Sequence, residues 1–240
     1  MDECLAPQLP VLLPDVTAGW GARAWTWESL VESFGEIPID VCEGRTRAAR
    51  PDHDYRPLVV SRPFGEVVAC ILDPATGNDV YVTANNKALE GPLAGMLRDV
   101  GEAPSYLDPA RNAVSSIWMG PAGARTPLHH DTSSILLCQF LGRKRIRLAP
   151  PEEIEIADLG EGFWGGVDLD DPAALEAAGL ADMAVREVVV CPGETLLIPS
   201  GWWHQVLSVE PGISLTFAGL WSANEYRWYA PGARGPAPSA

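Results

Sequence analysis

Histidine is scarce in this sequence and cysteine is scattered. Four histidines occur in 240 residues: His53, His129, His130 and His204. The five cysteines, Cys4, Cys42, Cys70, Cys138 and Cys191, are odd in number and form no Cys-x-x-Cys pair. That speaks against a zinc knuckle or a disulfide framework and fits a reducing, cytoplasmic setting. Cys138 and Cys191 fall in apolar, strand-like runs and read as small core residues. Long hydrophobic runs are missing too. No run could span a bilayer, and Met1-Asp2-Glu3-Cys4 lacks a basic segment leading into an apolar one, so neither a membrane span nor a signal peptide is expected. Positive charge is short as well: 17 Lys and Arg against 32 Asp and Glu give a net charge of −15. Nucleic-acid binders carry a basic face, so DNA and RNA are not expected partners.

What is present is enough apolar material for a sizeable core, 47% of residues. Residues 1–12 read as a lead-in, with Pro7 and Pro10 opposing helix. Ala24 to Phe34 reads as a helix capped by Thr26 and stopped by Gly35, with Trp27, Leu30, Val31 and Phe34 at helical spacing. Ile37–Cys42 is strand-like. The polar block Glu43 to Pro63 reads as a long loop holding a solvated His53. Glu66–Leu72 and Val80–Ala84 read as strands around a turn at Asp73–Gly77, and Lys87–Val100 as a helix broken at its start by Gly91-Pro92. Strands are then expected at Val114–Met119, Ile135–Leu141, Lys144–Leu148, Val188–Cys191, Thr195–Ile198, Gln205–Val209 and Ser214–Trp221. An acidic, glycine-rich insertion at 151–186 separates them, partly helical around Pro172–Leu180. Short strands punctuated by Pro-Gly turns indicate a mainly β protein with flanking helices, a barrel or jelly roll behind a mixed α/β portion. One domain over residues 1–230 is expected: an α/β portion at 1–112, a barrel core at 113–222, and a flexible tail at 231–240.

Two short segments hold three of the four histidines: Thr126-Pro127-Leu128-His129-His130-Asp131, and Pro199-Ser200-Gly201-Trp202-Trp203-His204. Residues alternate faces along an extended chain, so His129 and Asp131 point one way and His130 the other. With His204 they make two imidazoles and one carboxylate, the facial set of non-heme Fe(II) oxygenases. Alone, His-x-Asp is also a common turn. Lys144 adds weight: in Lys144-Arg145-Ile146-Arg147-Leu148 it shares a face with Ile146 and Leu148. A lysine aimed into an apolar barrel needs an anion; an edge lysine reaching solvent is the other reading. Thr126 could give the same anion a hydroxyl, or be a core threonine. Trp202 and Trp203 read as wall and core, and Arg143 and Arg145 as surface charges.

Trp118-Met119-Gly120-Pro121-Ala122-Gly123, the His129 segment, Gly142-Arg143-Lys144-Arg145 closing on Leu148-Ala149-Pro150-Pro151, and Pro192-Gly193 through His204 together resemble the JmjC/cupin-like family of Fe(II)- and 2-oxoglutarate-dependent oxygenases. More narrowly they resemble small hydroxylases related to the asparaginyl hydroxylase of hypoxia-inducible factor. The resemblance implies a double-stranded β-helix with Fe(II) held by His129, Asp131 and His204, and O2 as co-reactant. It implies 2-oxoglutarate held at its far carboxylate by Lys144, Thr126 and Tyr81. Relatives often carry two asparagines where Ile135 and Phe217-Ala218-Gly219 stand here. The implied reaction is hydroxylation of an unactivated C–H bond on a protein or peptide side chain, giving succinate and CO2. A free amino acid or secondary-metabolite scaffold is the second substrate reading, and a non-catalytic cupin-like binding module the third. The loop at 43–63 and the insertion at 151–186 are expected to frame the mouth. The oligomeric state stays open, a homodimer included.

Overall fold

The computed structural model describes residues 9–84, 86–101, 115–153 and 160–218. Cys4, the expected tail and the far end of the strand expected to reach Trp221 lie outside the described residues.

The N-terminal portion begins with a short edge strand, β1 (Val11–Leu13), inside the expected lead-in. Helix α1 (Trp27–Phe34) starts at the predicted cap: the Thr26 hydroxyl accepts from the Ser29 N–H, and the Ser29 hydroxyl from the Thr26 N–H, both at 3.1 Å. This exchange satisfies two donors near the open helix end. A three-stranded sheet follows, ordered β3-β2-β4, from β2 (Pro38–Glu43), β3 (Val59–Pro63) and β4 (Val80–Tyr81). β3 corrects the reading of 43–63 as loop throughout: Val59 to Pro63 pair in register with Cys42 to Pro38.

Two further expectations are corrected. Glu66–Leu72 is not a strand but part of helix α2 (Phe64–Leu72). Its buried residues, Phe64, Val67, Val68 and Ile71, stand at i, i+3, i+4 and i+7, one helical face. The β-branched run favoured a strand; this spacing, with a face to bury, overrides it. Lys87–Val100 is not one helix but a set of turns ending in a 3-10 helix at Ala94–Asp99. Pro92 has no N–H to donate, and glycines at 91 and 95 weaken a helix further. Leu89, Leu93 and Met96 are nonetheless buried.

The barrel consists of two facing antiparallel sheets. One is ordered β1-β10-β7-β12-β5 and the other β6-β11-β8-β9. Their strands are β5 (Ser115–Gly120), β6 (Arg125–His130), β7 (Ile135–Leu141), β8 (Lys144–Ala149), β9 (Arg186–Val190), β10 (Thr195–Ile198), β11 (Trp203–Ser208) and β12 (Gly212–Phe217). This is a jelly-roll, double-stranded β-helix arrangement. β11 begins at Trp203, so His204 lies in a strand and not in a turn before one. Helix α3 (Pro172–Ala177) forms within the insertion, capped by Asp171.

The five-stranded sheet is buried on both faces. Leu136, Cys138, Phe140, Leu197, Ile213, Leu215 and Phe217 pack outward in one core with Trp20, Trp25, Leu30 and Phe64 of the N-terminal portion. Leu137, Leu196 and Ile198 pack inward with Ile146, Leu148, Val190 and Val206 of the opposite sheet. Period-two alternation on β7 produces this division. Cys138 is a core residue as expected; Cys191 is only half-buried, in the turn after β9. Among the described residues no helix is long and apolar enough to cross a membrane.

Because the N-terminal portion and barrel share one core, Phe64→Ala is expected to cost about 3–5 kcal/mol. Urea unfolding followed by far-UV circular dichroism and tryptophan fluorescence should show one coincident transition at a lower midpoint. Two separated transitions would show that the portions do not unfold together.

Candidate active site

The site is built on the pairing of β6 with β11. His204 lies directly opposite His129, and Val206 opposite Thr126. Two steps along β11 therefore match three along β6, which is a bulge. One extra residue reverses the alternation within β6. Leu128 then packs outside the barrel with Trp203, Val167 and Leu169. Thr126 and His129, three positions apart, both line the interior cavity. A regular strand would have separated them. The adjoining turn is tied across the same pair, with the Gly201 N–H donating to the Asp131 carbonyl at 3.1 Å.

His129, Asp131 and His204 each offer a ligand atom, all within 4.8 Å of one another. The two imidazole centroids are 4.1 Å apart. His129 Nδ1 lies 2.8 Å from the Pro127 carbonyl and His204 Nδ1 2.9 Å from the Trp202 carbonyl. A carbonyl oxygen only accepts, so each Nδ1 carries hydrogen and each Nε2 keeps its lone pair. His204 Nε2 faces Asp131 Oδ2 at 3.7 Å. Two acceptors held that close are repulsive unless a cation stands between them. Burial pushes the His129 pKa down to about 3 and that of His204 to about 4, and raises that of Asp131. Neutral imidazoles and a carboxylate are the forms a metal takes. The donor set fits Fe(II). His130 points outward as expected, its ring edge-on to Trp203 at 4.9 Å.

The three side chains open into a cavity of about 370 Å³, which Thr126, Tyr81, Lys144, Trp118, Thr216, Ile135 and Leu137 also line. Lys144 is 3% exposed. Its Nζ sits 5.6 Å from the Trp118 ring centroid and 5.9 Å from that of Tyr81. No acidic side chain pairs with it among the described residues, and burial alone pushes its pKa down to about 7. The edge reading of Lys144 is thereby excluded. Tyr81 hydrogen-bonds Thr126, and burial raises its phenol to about 12, so it stays protonated. Gly120 makes room for it, since a Cβ there would lie 2.7 Å from the Tyr81 ring. The structure thus gathers all six sequence-predicted site residues around one cavity.

Other residues at the mouth were not foreseen. Asp52 and Tyr55 enter from the 43–63 segment, Phe163 and Trp164 from the insertion. The two segments meet there as expected: Arg50 pairs with Glu161 at 3.1 Å, and His53 stacks on Trp164 with centroids 4.4 Å apart. His53 is therefore not a freely solvated loop histidine. Trp164 also lies 5.4 Å from His129. Residues 160–166 run along the outer edge of β6, through His130 N–H to Phe163 carbonyl at 3.0 Å and Gly165 N–H to Leu128 carbonyl at 2.7 Å. The tryptophan in an otherwise acidic, glycine-rich insertion was the available signal. Arg145 is likewise not a plain surface charge, since it pairs with Asp170 at 2.6 Å.

Fold and site together are those of a double-stranded β-helix with a candidate metal centre of two imidazoles and one carboxylate. The family model described as "Cupin-like domain" matches residues 1–225, and the chain belongs to this JmjC-like family of Fe(II)- and 2-oxoglutarate-dependent oxygenases. It is similar to lysine-specific demethylase 8 of Danio rerio, 34% identical over 237 residues, covering 90% of this chain and 54% of the relative. Lysine-specific demethylase 8 of Xenopus tropicalis is 26% identical over 227 residues, covering 90% and 49%. Lysine-specific demethylase JMJ30 of Arabidopsis thaliana is 35% identical over 135 residues, covering 54% and 31%. The chain thus spans about half or less of the length of these relatives. The cofactors of this chemistry are Fe(II), 2-oxoglutarate and O2.

Neutral burial of His129 and His204 sets a pH dependence. Unfolded histidine titrates near 6.5, so below that pH the unfolded chain binds protons that the folded one refuses, and stability falls with pH. The raised Asp131 carboxyl acts oppositely, as one group against two. Metal-free protein is expected to lose on the order of 1 kcal/mol per pH unit between pH 6.5 and 5. A His129→Gln/His204→Gln double variant should show a flatter slope in urea titrations; an unchanged slope would remove the histidines as its cause.

Proposed function

We propose that this protein is a hydroxylase acting on an unactivated C–H bond of a protein or peptide side chain. The observation that carries it is the juxtaposition, in one cavity, of a three-ligand facial group and an unpaired buried lysine. In this reading His129, Asp131 and His204 would hold Fe(II). Lys144, with Thr126 and Tyr81, holds the far carboxylate of 2-oxoglutarate. Bound there, iron, 2-oxoglutarate and O2 would supply hydroxylation of a C–H bond, one oxygen atom of O2 going to the substrate and the other to succinate as 2-oxoglutarate loses CO2. The chain supplies geometry and a dry cavity. The Nδ1 bonds fix both imidazoles, the lysine orients the diacid, and Ile135, Leu137, Ile198 and Val206 give the cavity an apolar lining. No acid–base pair is required.

A polymer substrate is favoured by the mouth. The 370 Å³ cavity must accept both the cosubstrate and the reacting group, which suits one side chain. A second groove, of about 680 Å³, shares Asp52 with it and offers a path for flanking residues. The names of the relatives also indicate protein substrates. A free amino acid or small metabolite would leave that groove unused. Four described cysteines carry no disulfide, consistent with residence in the cytoplasm.

Anaerobic addition of Fe(II) and then 2-oxoglutarate is expected to raise a weak visible charge-transfer band that Asp131→Ala abolishes. Lys144→Ala should weaken 2-oxoglutarate binding about 10- to 100-fold, the worth of a charge-assisted hydrogen bond, while sparing the metal. Metal binding without the band would indicate a different metallo-cupin, and no metal binding a binding module. Mass spectrometry of peptide substrates separates the chemistries: a stable gain of about 16 Da marks hydroxylation, whereas loss of about 14 Da marks demethylation and overturns the hydroxylase reading.

A further inference from the structure

The cavity ends at Lys144, but the polar interior of the barrel does not. On the inner face of β11, Ser208 is the direct cross-strand partner of Lys144. On the opposite sheet, Gln139 of β7 pairs with Ser214 of β12, and Ser214 pairs with Trp118 of β5, whose ring lies against the Lys144 Nζ. Alternation places all four inside: Leu136, Cys138, Phe140, Ile213 and Leu215 take the outer face of their strands, while Leu137, Ile146 and Val206 take the inner one. Exposure is 0% for Gln139 and Ser214, 2% for Ser208 and 3% for Lys144. Gln139 Oε1, Ser208 Oγ and Ser214 Oγ have no hydrogen-bond partner among the described residues. The Gln139 amide orientation is fixed, because its Nε2 donates to the Leu141 carbonyl at 2.6 Å and the Gly142 carbonyl at 3.1 Å. Its oxygen is therefore a true spare acceptor.

Buried polar groups left unpaired are costly, and three in one layer demand a common account. An ammonium carries three hydrogens. A diacid's far carboxylate satisfies one or two of these, and the faces of Trp118 and Tyr81 supply only a diffuse attraction. Three orphaned acceptors stand around it in strand register, Ser208 directly opposite Lys144 and Ser214 between Trp118 and Gln139, and a bridging water is the means by which such groups complete an ammonium they do not touch.

We propose that Gln139, Ser208 and Ser214 form a polar floor that solvates the Lys144 ammonium through ordered water and so positions it for the far carboxylate of the cosubstrate. The inference rests on the reading of Lys144 given above. The three act through Lys144 and are positioning residues. Their contribution belongs to the diacid alone, so a 2-oxo acid of the same chain length without the far carboxylate, 2-oxopentanoate, is indifferent to them.

The test uses calorimetric titration of Mn(II)-loaded full chain with 2-oxoglutarate and with 2-oxopentanoate. Ser208→Ala and Ser214→Ala keep the Gln139 bonds to the turn intact. Each is expected to weaken 2-oxoglutarate binding about three- to tenfold, and the double variant more, with Mn(II) and 2-oxopentanoate affinities unchanged. Equal losses for both acids would mean a merely structural role and overturn the floor. So would unchanged 2-oxoglutarate affinity in the double variant. A wild-type protein that binds the two acids equally would overturn the Lys144 reading itself, and the floor with it.

Discussion

The structure depends on one antiparallel pairing, β6 against β11, with a single extra residue in β6. Direct opposition of His129 and His204 fixes two imidazoles at a spacing that needs no side-chain adjustment. The bulge then carries Thr126 to the same interior wall, where it meets Tyr81 from the N-terminal sheet. Backbone carbonyls at Pro127 and Trp202, each two residues before its histidine, set the tautomers. A site built from ladder hydrogen bonds is held more rigidly than one built from loops, and metal geometry requires that rigidity.

The insertion depends on the same sheet. Asp168 and Asp170 face Arg125, Arg145 and Arg147 on the outside of β6 and β8, and Gln205 donates to Asp168 at 2.6 Å. The Gln205 side-chain oxygen also accepts from the Leu169 N–H at 3.0 Å. Half-exposed ion pairs contribute little singly, but this group shares partners and acts as a network. It anchors the segment whose upstream part, 160–166, covers the β6 edge and sets Trp164 beside His129. The edge strand bearing His129 is thereby protected from pairing with another chain.

The chain has only two lysines, Lys87 and Lys144, against a heavy excess of acid. That one of the two is buried in the barrel with no carboxylate beside it among the described residues is the clearest electrostatic feature of the interior. Burying an ammonium is tolerable only where a ligand or water completes it. Elsewhere the interior supports charge by pairing: the buried Arg45 guanidinium takes the Asp52 carboxylate at 3.0 Å and the carbonyls of Asn78 and Arg125. Arg45 thus meets a carboxylate and two carbonyls, whereas Lys144 meets no carboxylate among the described residues.

The sequence by itself determined what depends on short-range pattern. Period-two alternation around Lys144 and within the His129 segment was legible, as were strands β7 and β10 and the Thr26 cap, because these follow from local backbone geometry. The segment Glu66–Leu72 reads as a strand from its β-branched run; the helical spacing of Phe64, Val67, Val68 and Ile71 prevailed only once there was a face to bury. Only the tertiary structure decided the bulge in β6, the meeting of His53 with Trp164, and the orphaned layer at Gln139, Ser208 and Ser214. Each is a relation between residues far apart in the chain, fixed by strand register and burial, and neither quantity has a local signature.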